Sequence, residues 1–265
     1  MVTGRAPEGK PKMTNDDGAG GAPGQETWQK RAFRRHYHSR PGWVTGTERF
    51  HALLREKLAP GGRILEIGAG PSNTTTRFLA GIGEVTGLDL DPDVENNDAC
   101  TEARVYDGGA FPLPDGHFDS VVSNYVLEHV ENPARMAAEC SRVLRPGGVV
   151  AFRTPNLWHY VSLIARFTPH SFHERVALKA QNVSEDAHDP YPTFHRMNTR
   201  TACRAFLEGA GFEVEVLDCI EPEPAYGQFS RLAFYPMMLW ERLLNSTDRL
   251  AGLRANILCV ARKRP

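Results

Sequence analysis

The run Arg63-Ile-Leu-Glu66-Ile-Gly68-Ala-Gly70-Pro-Ser-Asn73-Thr-Thr-Thr76 decides how the rest of the chain is read. Ile64 to Ile67 is an apolar stretch with the length of a buried strand. Gly68, Ala69 and Gly70 then make a tight turn, and Ser72-Asn73-Thr74 can open a helix. Small residues let the backbone approach a ligand, and the amides of a helix start favour polar or anionic atoms. Glu66, inside the strand, has no evident use in holding a pyrophosphate; it suits a ligand that brings donors and positive charge.

The pattern after this turn alternates strand and helix. A helix is predicted over 73–80, a strand from Gly83 to Leu90, a short strand at Arg104-Val105-Tyr106 and another from Phe118 to Ser123. A helix from Ala134 to Leu144 ends at Arg145-Pro146-Gly147-Gly148 and leads to a fifth strand, Val149 to Phe152. Such alternation argues an α/β fold, a doubly wound parallel sheet covered on both faces. The segment 157–197 breaks the rhythm and reads as an inserted lid, with a helix from Leu157 to Phe167 and a polar stretch after it. A helix from Thr199 to Leu207 and a cleanly alternating strand, Phe212 to Leu217, resume the pattern. A second lid element covers 221–250, with Pro236 marking a break in an apolar helical stretch, and Asn256 to Ala261 is the last strand.

An open parallel sheet holds ligands beyond the carboxyl ends of its strands. The glycine turn, Asp89 and Asp107 fall at three consecutive strand ends. Asp89 follows the turn by about 20 residues, the spacing of an acid that accepts from ribose hydroxyls. Asp107 could accept from an exocyclic amine while the Gly108 amide donates to a ring nitrogen, and Asn124 would line the floor near the reacting centre. A dinucleotide fingerprint wants a third glycine where Asn73 stands, and Glu66 would face the phosphates, so a nicotinamide-dependent oxidoreductase is disfavoured.

Composition excludes other classes. The chain has 265 residues, 41% of them hydrophobic, and a formal net charge of -1, which gives no general reason to expect a nucleic-acid partner. Five scattered cysteines form no C-x-x-C pair, so a disulfide framework or zinc ribbon is not expected and a cytoplasmic location is. No stretch has the length of a membrane span. Residues 1–24 read as a disordered tail, 25–60 as an N-terminal helical cap and 61–265 as the ligand-binding domain. Trp28, Phe33 and Tyr37 interleave with basic residues in the cap, a pattern for packing or substrate capping and, less directly, for polyanion binding.

Five pieces in order carry a resemblance: Ile64-Leu-Glu-Ile-Gly-Ala-Gly70, Gly87-Leu-Asp-Leu90, the run from Asp107 to Asp119, Val121-Val-Ser-Asn-Tyr-Val-Leu-Glu-His-Val130 and Leu144-Arg-Pro-Gly-Gly148. The chain resembles a class I S-adenosylmethionine-dependent methyltransferase of the small-molecule type over about 60–155, and less closely in 1–45, 157–197 and 221–250. The resemblance implies a Rossmann-like seven-stranded, mostly parallel sheet with helical cap and lid insertions, its last strand antiparallel. It implies S-adenosyl-L-methionine as cofactor and methyl transfer to a small molecule. Carried onto this sequence, Glu66 and Gly68 would lie near the methionine part, Gly70 in the same cofactor-binding turn, Asp89 at the ribose, Leu90, Asp107 and Gly108 at the adenine, and Asn124 beside the methionine portion.

A hydroxyl acceptor needs its proton removed, and histidine suits that near neutral pH. His129, His195 and His170 are the base candidates. Tyr37 and His38 could close over the methyl group, and Tyr160 and Phe194 belong to an aromatic set suited to an acceptor pocket or to the core of the cap. Asp186, His188, Asp189 and His195 match no sharp metal motif, so no metal is expected. The expected function is transfer of a methyl group to a small-molecule acceptor at a hydroxyl oxygen. Nitrogen or carbon acceptors, RNA methylation and non-catalytic cofactor binding are the alternatives.

Overall fold

The apolar run Ile64–Ile67 lies at the centre of the sheet in a computed structural model that describes residues 26–167, 191–224, 227 and 230–265. Strand β1 (Arg63–Ile67) is buried from its second residue onward, as a strand covered on both faces must be. It pairs in parallel with β2 (Glu84–Asp89) on one side and β4 (Phe118–Asn124) on the other. With β3 (Glu102–Val105), β5 (Leu144–Pro155), β6 (Phe212–Ile220) and β7 (Asn256–Lys263), the seven-stranded sheet has the order β3-β2-β1-β4-β5-β7-β6. Strand β7 enters antiparallel to both β5 and β6. The chain winds outward from β1 to β3, then returns to place β4 on the other side of β1. That reversal leaves a crevice beyond the carboxyl ends of β1 and β4.

Helices cover both faces. On one, α2 (Gly46–Lys57) and α3 (Thr74–Ala80) seat Phe50, Leu54 and Leu79 against Val85, Val122 and Leu258. On the other, α4 (Pro133–Val143) and α6 (Arg200–Gly209) seat Cys140, Val143, Cys203 and Leu207 against Val121 and Phe152. Helix α5 (Tyr160–Phe167) begins three residues later than the sequence pattern predicts, after Asn156 has tied the end of β5 to Gly252 and Arg254. The Arg145-Pro146-Gly147-Gly148 stop is part of β5, whose first residue pairs with Phe118 across an irregular register.

The first helix, α1 (Trp28–Phe33), runs into a π-helical turn, Arg34–His38, and packs through Trp28, Phe33 and Tyr37 on Phe234 of α7 (Arg231–Asn245). Pro236 does not break α7, contrary to the sequence expectation. Its ring is exposed, so the Leu232 carbonyl that loses its helical donor lies on a solvent-facing turn. Among the described residues, no helix is long and apolar enough to cross a membrane.

Candidate functional site

The turn after β1 is held more tightly than its glycines alone suggest. Gly68 has φ +77° and Gly70 φ +54°, conformations that other residues adopt reluctantly. Asn73 caps α3: its Oδ1 accepts from the Thr75 and Thr76 amides at 2.7 and 2.9 Å, while its Nδ2 donates to the Ala69 carbonyl at 2.8 Å. Asn97 adds a donor to the Gly70 carbonyl at 2.9 Å. The Asp89 carboxylate, at the end of β2, accepts from the Gly70 amide at 2.8 Å and, through its other oxygen, from the Asp91 amide at 3.0 Å.

These bonds decide what the turn can hold. A pyrophosphate would need the free amides of the turn and the helix start. Here the Gly70 amide faces a carboxylate and the Thr75 and Thr76 amides of α3 are taken by Asn73. The departure from glycine at position 73 is therefore a cap that turns the site away from phosphate. Each Asp89 oxygen keeps a lone pair for a neutral hydroxyl.

A cavity of about 740 Å³ opens beyond these strand ends. Gly68, Asp89, Leu90, Asp107, Gly108 and Asn124 all line it. Leu90 is 43% exposed and stands beside Gly108, which takes φ +81°. Asp107 accepts from the Gly109 amide at 2.8 Å, which fixes its carboxylate at the rim. The Asn124 amide bonds the Thr75 hydroxyl at 3.0 Å and its oxygen accepts from Arg153 at 2.8 Å, so its orientation is set by its neighbours. Gly70 and Glu66 are not on the wall. Glu66 lies behind the turn, 1% exposed, with Oε2 buried and lacking a hydrogen bond and Asn73 3.4 Å from Oε1. Burial pushes its carboxyl up to about 7, against the pull of the nearby Thr76 and Asn73 side chains.

The candidate bases separate. His129 lines the cavity, and its Nδ1 lies 3.1 Å from the Pro192 carbonyl. A carbonyl can only accept, so the proton is on Nδ1 and Nε2 is left as the acceptor. His195 is not on the wall: it takes φ 51° and its amide donates to the Glu128 carbonyl at 3.1 Å. His170, like Asp186, His188 and Asp189, lies outside the described residues.

The predicted substrate contacts also divide. Phe194 lines the cavity with Tyr191, whose ring lies edge-on to His129 at 6.1 Å. Tyr160 lines a neighbouring cavity. Tyr37 and His38 do not reach either wall. Tyr37 is fully buried against Phe234 and donates its hydroxyl to Glu241 at 2.9 Å, and exposed His38 packs on Trp43. Aromatic residues among basic ones are the same signal whether they cover a ligand or a neighbouring helix, and here they cover α7.

Two groups were missed in the sequence. Arg153, 4% exposed, links Asn124 to the Thr47 hydroxyl and lies 4.4 Å from the centre of the Tyr125 ring. Tyr125 takes φ 58°, a strained conformation for a non-glycine residue and one that clusters at functional sites. No sequence pattern marks either position.

A methyltransferase-domain family model matches residues 65–152, which run from within β1 through β2, β3 and β4 into β5. A Mycolicibacterium smegmatis protein described as a probable S-adenosylmethionine-dependent methyltransferase is 33% identical over 175 residues, covering 63% of this chain and 59% of its own length. An uncharacterised methyltransferase of Mycobacterium tuberculosis is 30% identical over 175 residues, covering 61% of this chain and 86% of its own. The chain belongs to the class I S-adenosylmethionine-dependent methyltransferases. In fold, the chain is similar to the protein bound to the Trm112 methyltransferase activator in a Haloferax volcanii complex (TM-score 0.53, 20% identity, 89% of this chain and 94% of that one). The cyclase SpnF gives the same TM-score, 0.53, at 20% identity over 82% of this chain and 81% of its own, so the fold alone does not name a reaction. The chain spans 59% of the M. smegmatis relative's length.

S-adenosylmethionine, the cofactor of this family, fits the donor set of the turn: hydroxyl acceptors at Asp89, an amide and carboxylate at Gly108 and Asp107, and a cradle already closed to phosphate. With the ribose hydroxyls on Asp89, as the resemblance implies, Asp89→Ala is expected to weaken S-adenosylhomocysteine binding about 100-fold, through loss of those hydrogen bonds and release of the Gly70 amide. Asp89→Asn should fall between the two. Calorimetric titration measures both, and affinity unchanged by alanine would remove Asp89 from the ribose.

Proposed function

We propose that this protein transfers the methyl group of S-adenosylmethionine to a hydroxyl oxygen of a small molecule, with His129 as the general base. One observation carries the reading: His129 lines the same cavity as Gly68, Asp89 and Asn124, with its Nδ1 on the Pro192 carbonyl. The cofactor supplies an electrophilic methyl on a positively charged sulfur. Asp89, Asp107 and Gly108 would bind and orient it, and Asn124, held by Thr75 and Arg153, would present a fixed polar edge beside the reacting atoms. The Pro192 carbonyl holds the His129 proton on Nδ1, so Nε2 takes the hydroxyl proton as the oxygen attacks. Tyr191 and Phe194 would narrow the mouth and exclude water.

Transfer of labelled methyl from S-adenosylmethionine to a panel of phenols, alcohols and amines tests the reaction and its acceptor atom. With an accepted hydroxyl substrate, His129→Ala should lower kcat by about 10²–10⁴-fold and leave S-adenosylhomocysteine affinity unchanged. Undiminished kcat would move proton acceptance elsewhere. Methylation confined to amines would overturn the oxygen reading while keeping the transferase.

A further inference from the structure

A second cavity, of about 400 Å³, opens beside the first and shares Tyr125 as a wall. Glu128, His159, Tyr160, Glu221 and Glu223 surround it, and among the described residues neither lysine nor arginine lines it. Each of its three carboxylates has a protein donor, which for Glu223 is the Gly46 amide. The Thr154 hydroxyl donates to Glu128 at 3.1 Å, and the Ala255 amide donates to Glu221 at 2.6 Å. Two polar atoms lack a partner. Glu223 Oε2 is buried without a hydrogen bond, and so is Nε2 of His159, which is 3% exposed and 3.4 Å from Glu221 Oε2.

One guanidinium faces these carboxylates: Arg153 attracts Glu128 and Glu223, one positive charge against three carboxyl groups. Arg153 is committed to Asn124, Thr47 and the Tyr125 ring. Burial, with Glu221 and Glu241 nearby, pushes the Glu223 carboxyl up to about 7 despite the hydrogen bond from the Gly46 amide and the attraction of Arg153. Buried carboxylates in this excess are costly unless a cation joins them. A metal ion is the poorer candidate, since no group of three or more ligating side chains among the described residues is arranged to hold one. The cavity is far larger than a bare ion, and the Tyr125 and Tyr160 rings line it, which suits an organic cation.

Resting on the methyltransferase reading, we propose that this second cavity seats a protonated amine of the methyl acceptor, gripped by Glu221 and Glu223 beside the Tyr160 ring. The acceptor's hydroxyl then lies past Tyr125 in the main cavity. A protonated nitrogen has no lone pair to attack with, so the amine is a handle and not the methylated atom. The acceptor is thereby an amino alcohol or an aminoalkyl phenol in chemical class.

Benzylamine, protonated at neutral pH, and benzyl alcohol are matched probes in size and differ in charge. Each is titrated by calorimetry into the full chain saturated with S-adenosylhomocysteine. Benzylamine should bind at least about tenfold more tightly, about 1.4 kcal/mol. Glu221→Gln and Glu223→Gln should each lower benzylamine affinity about fivefold or more and leave benzyl alcohol unchanged. The wild-type comparison stands even if a variant fails to fold. Equal binding of the two probes, binding of neither, or a preference that survives both substitutions would overturn the proposal. If S-adenosylhomocysteine still gives heat in those cases, only this inference falls; if it gives none, the methyltransferase reading falls with it.

Discussion

Gly68→Ala is expected to lower S-adenosylhomocysteine affinity at least about 100-fold while the chain remains folded. Gly68 holds φ +77°, where an L side chain costs about 1–2 kcal/mol. A Cβ there would also come 2.3 Å from Val126 Cγ2. Neither side retreats easily. The Gly68 amide is tied to the Leu88 carbonyl at 2.7 Å, and Val126 follows Tyr125, itself held at φ 58°. The displacement therefore falls on the turn, which is the wall of the cavity. Val126→Ala in the same chain should recover part of the loss by removing the clash, but not the backbone strain. Gly70→Ala is the control: at φ +54° it meets nothing within 4 Å, so only strain applies and the loss should be about tenfold or less. Calorimetry gives the affinities and circular dichroism confirms folding. Wild-type binding by Gly68→Ala would mean that the cofactor does not depend on this turn.

The sheet was legible because its strands are short, apolar and spaced by helices whose ends carry strong punctuation. Asn73 before Thr74 is a helix start visible in the sequence and caps α3 in the structure, whereas α4 starts at Pro133 behind an Asn132 cap, one residue ahead of the predicted Ala134. The seven-stranded order with an antiparallel β7 follows the resemblance, and the register of Ile64 beside Val85 and Ser120 supplies what periodicity cannot. The strand ends carrying Asp89, Asp107 and Asn124 were legible for the same reason: in this topology, position along the chain predicts position at the crevice.

The segments 157–197 and 221–250 were legible only as departures from that rhythm, while the helix at 199–207 and the strands at 212–217 and 256–261 were read directly. A histidine in an irregular segment carries no signal for where its ring points. His129 and His195 are equal in composition, yet the Pro192 carbonyl fixes one at the cavity while the other, in a left-handed turn, is not on its wall. Tyr37 was misplaced because its partner, Glu241, is 204 residues away. The acidic cavity was hidden for a similar reason: Glu128, His159 and Glu221 come from separate stretches and meet only when β5 and β7 pair beside them.

Glu66→Gln is expected to stabilise the ligand-free protein by up to about 3 kcal/mol at pH 8 and by nothing at pH 4. The Glu66 carboxyl titrates at about 7 in the fold against an ordinary 4.5. Below pH 4.5 both folded and unfolded chains hold the proton, and Glu66 contributes no pH-dependent difference. Between 4.5 and 7 the unfolded chain ionises first, so stability falls as pH rises; above 7 the buried anion exacts its full cost. A separation of about 2.5 between the two values corresponds to about 3 kcal/mol. Glutamine keeps the shape and removes the ionisation. Urea unfolding of both proteins at pH 4, 6 and 8 measures the difference, which should grow through that interval. A constant gap would assign it to packing. Because Glu66 sits directly behind the cofactor turn, S-adenosylmethionine, with its two positive centres, should narrow the gap at pH 8, and the same carboxylate that weakens the empty fold would then favour the cationic cofactor.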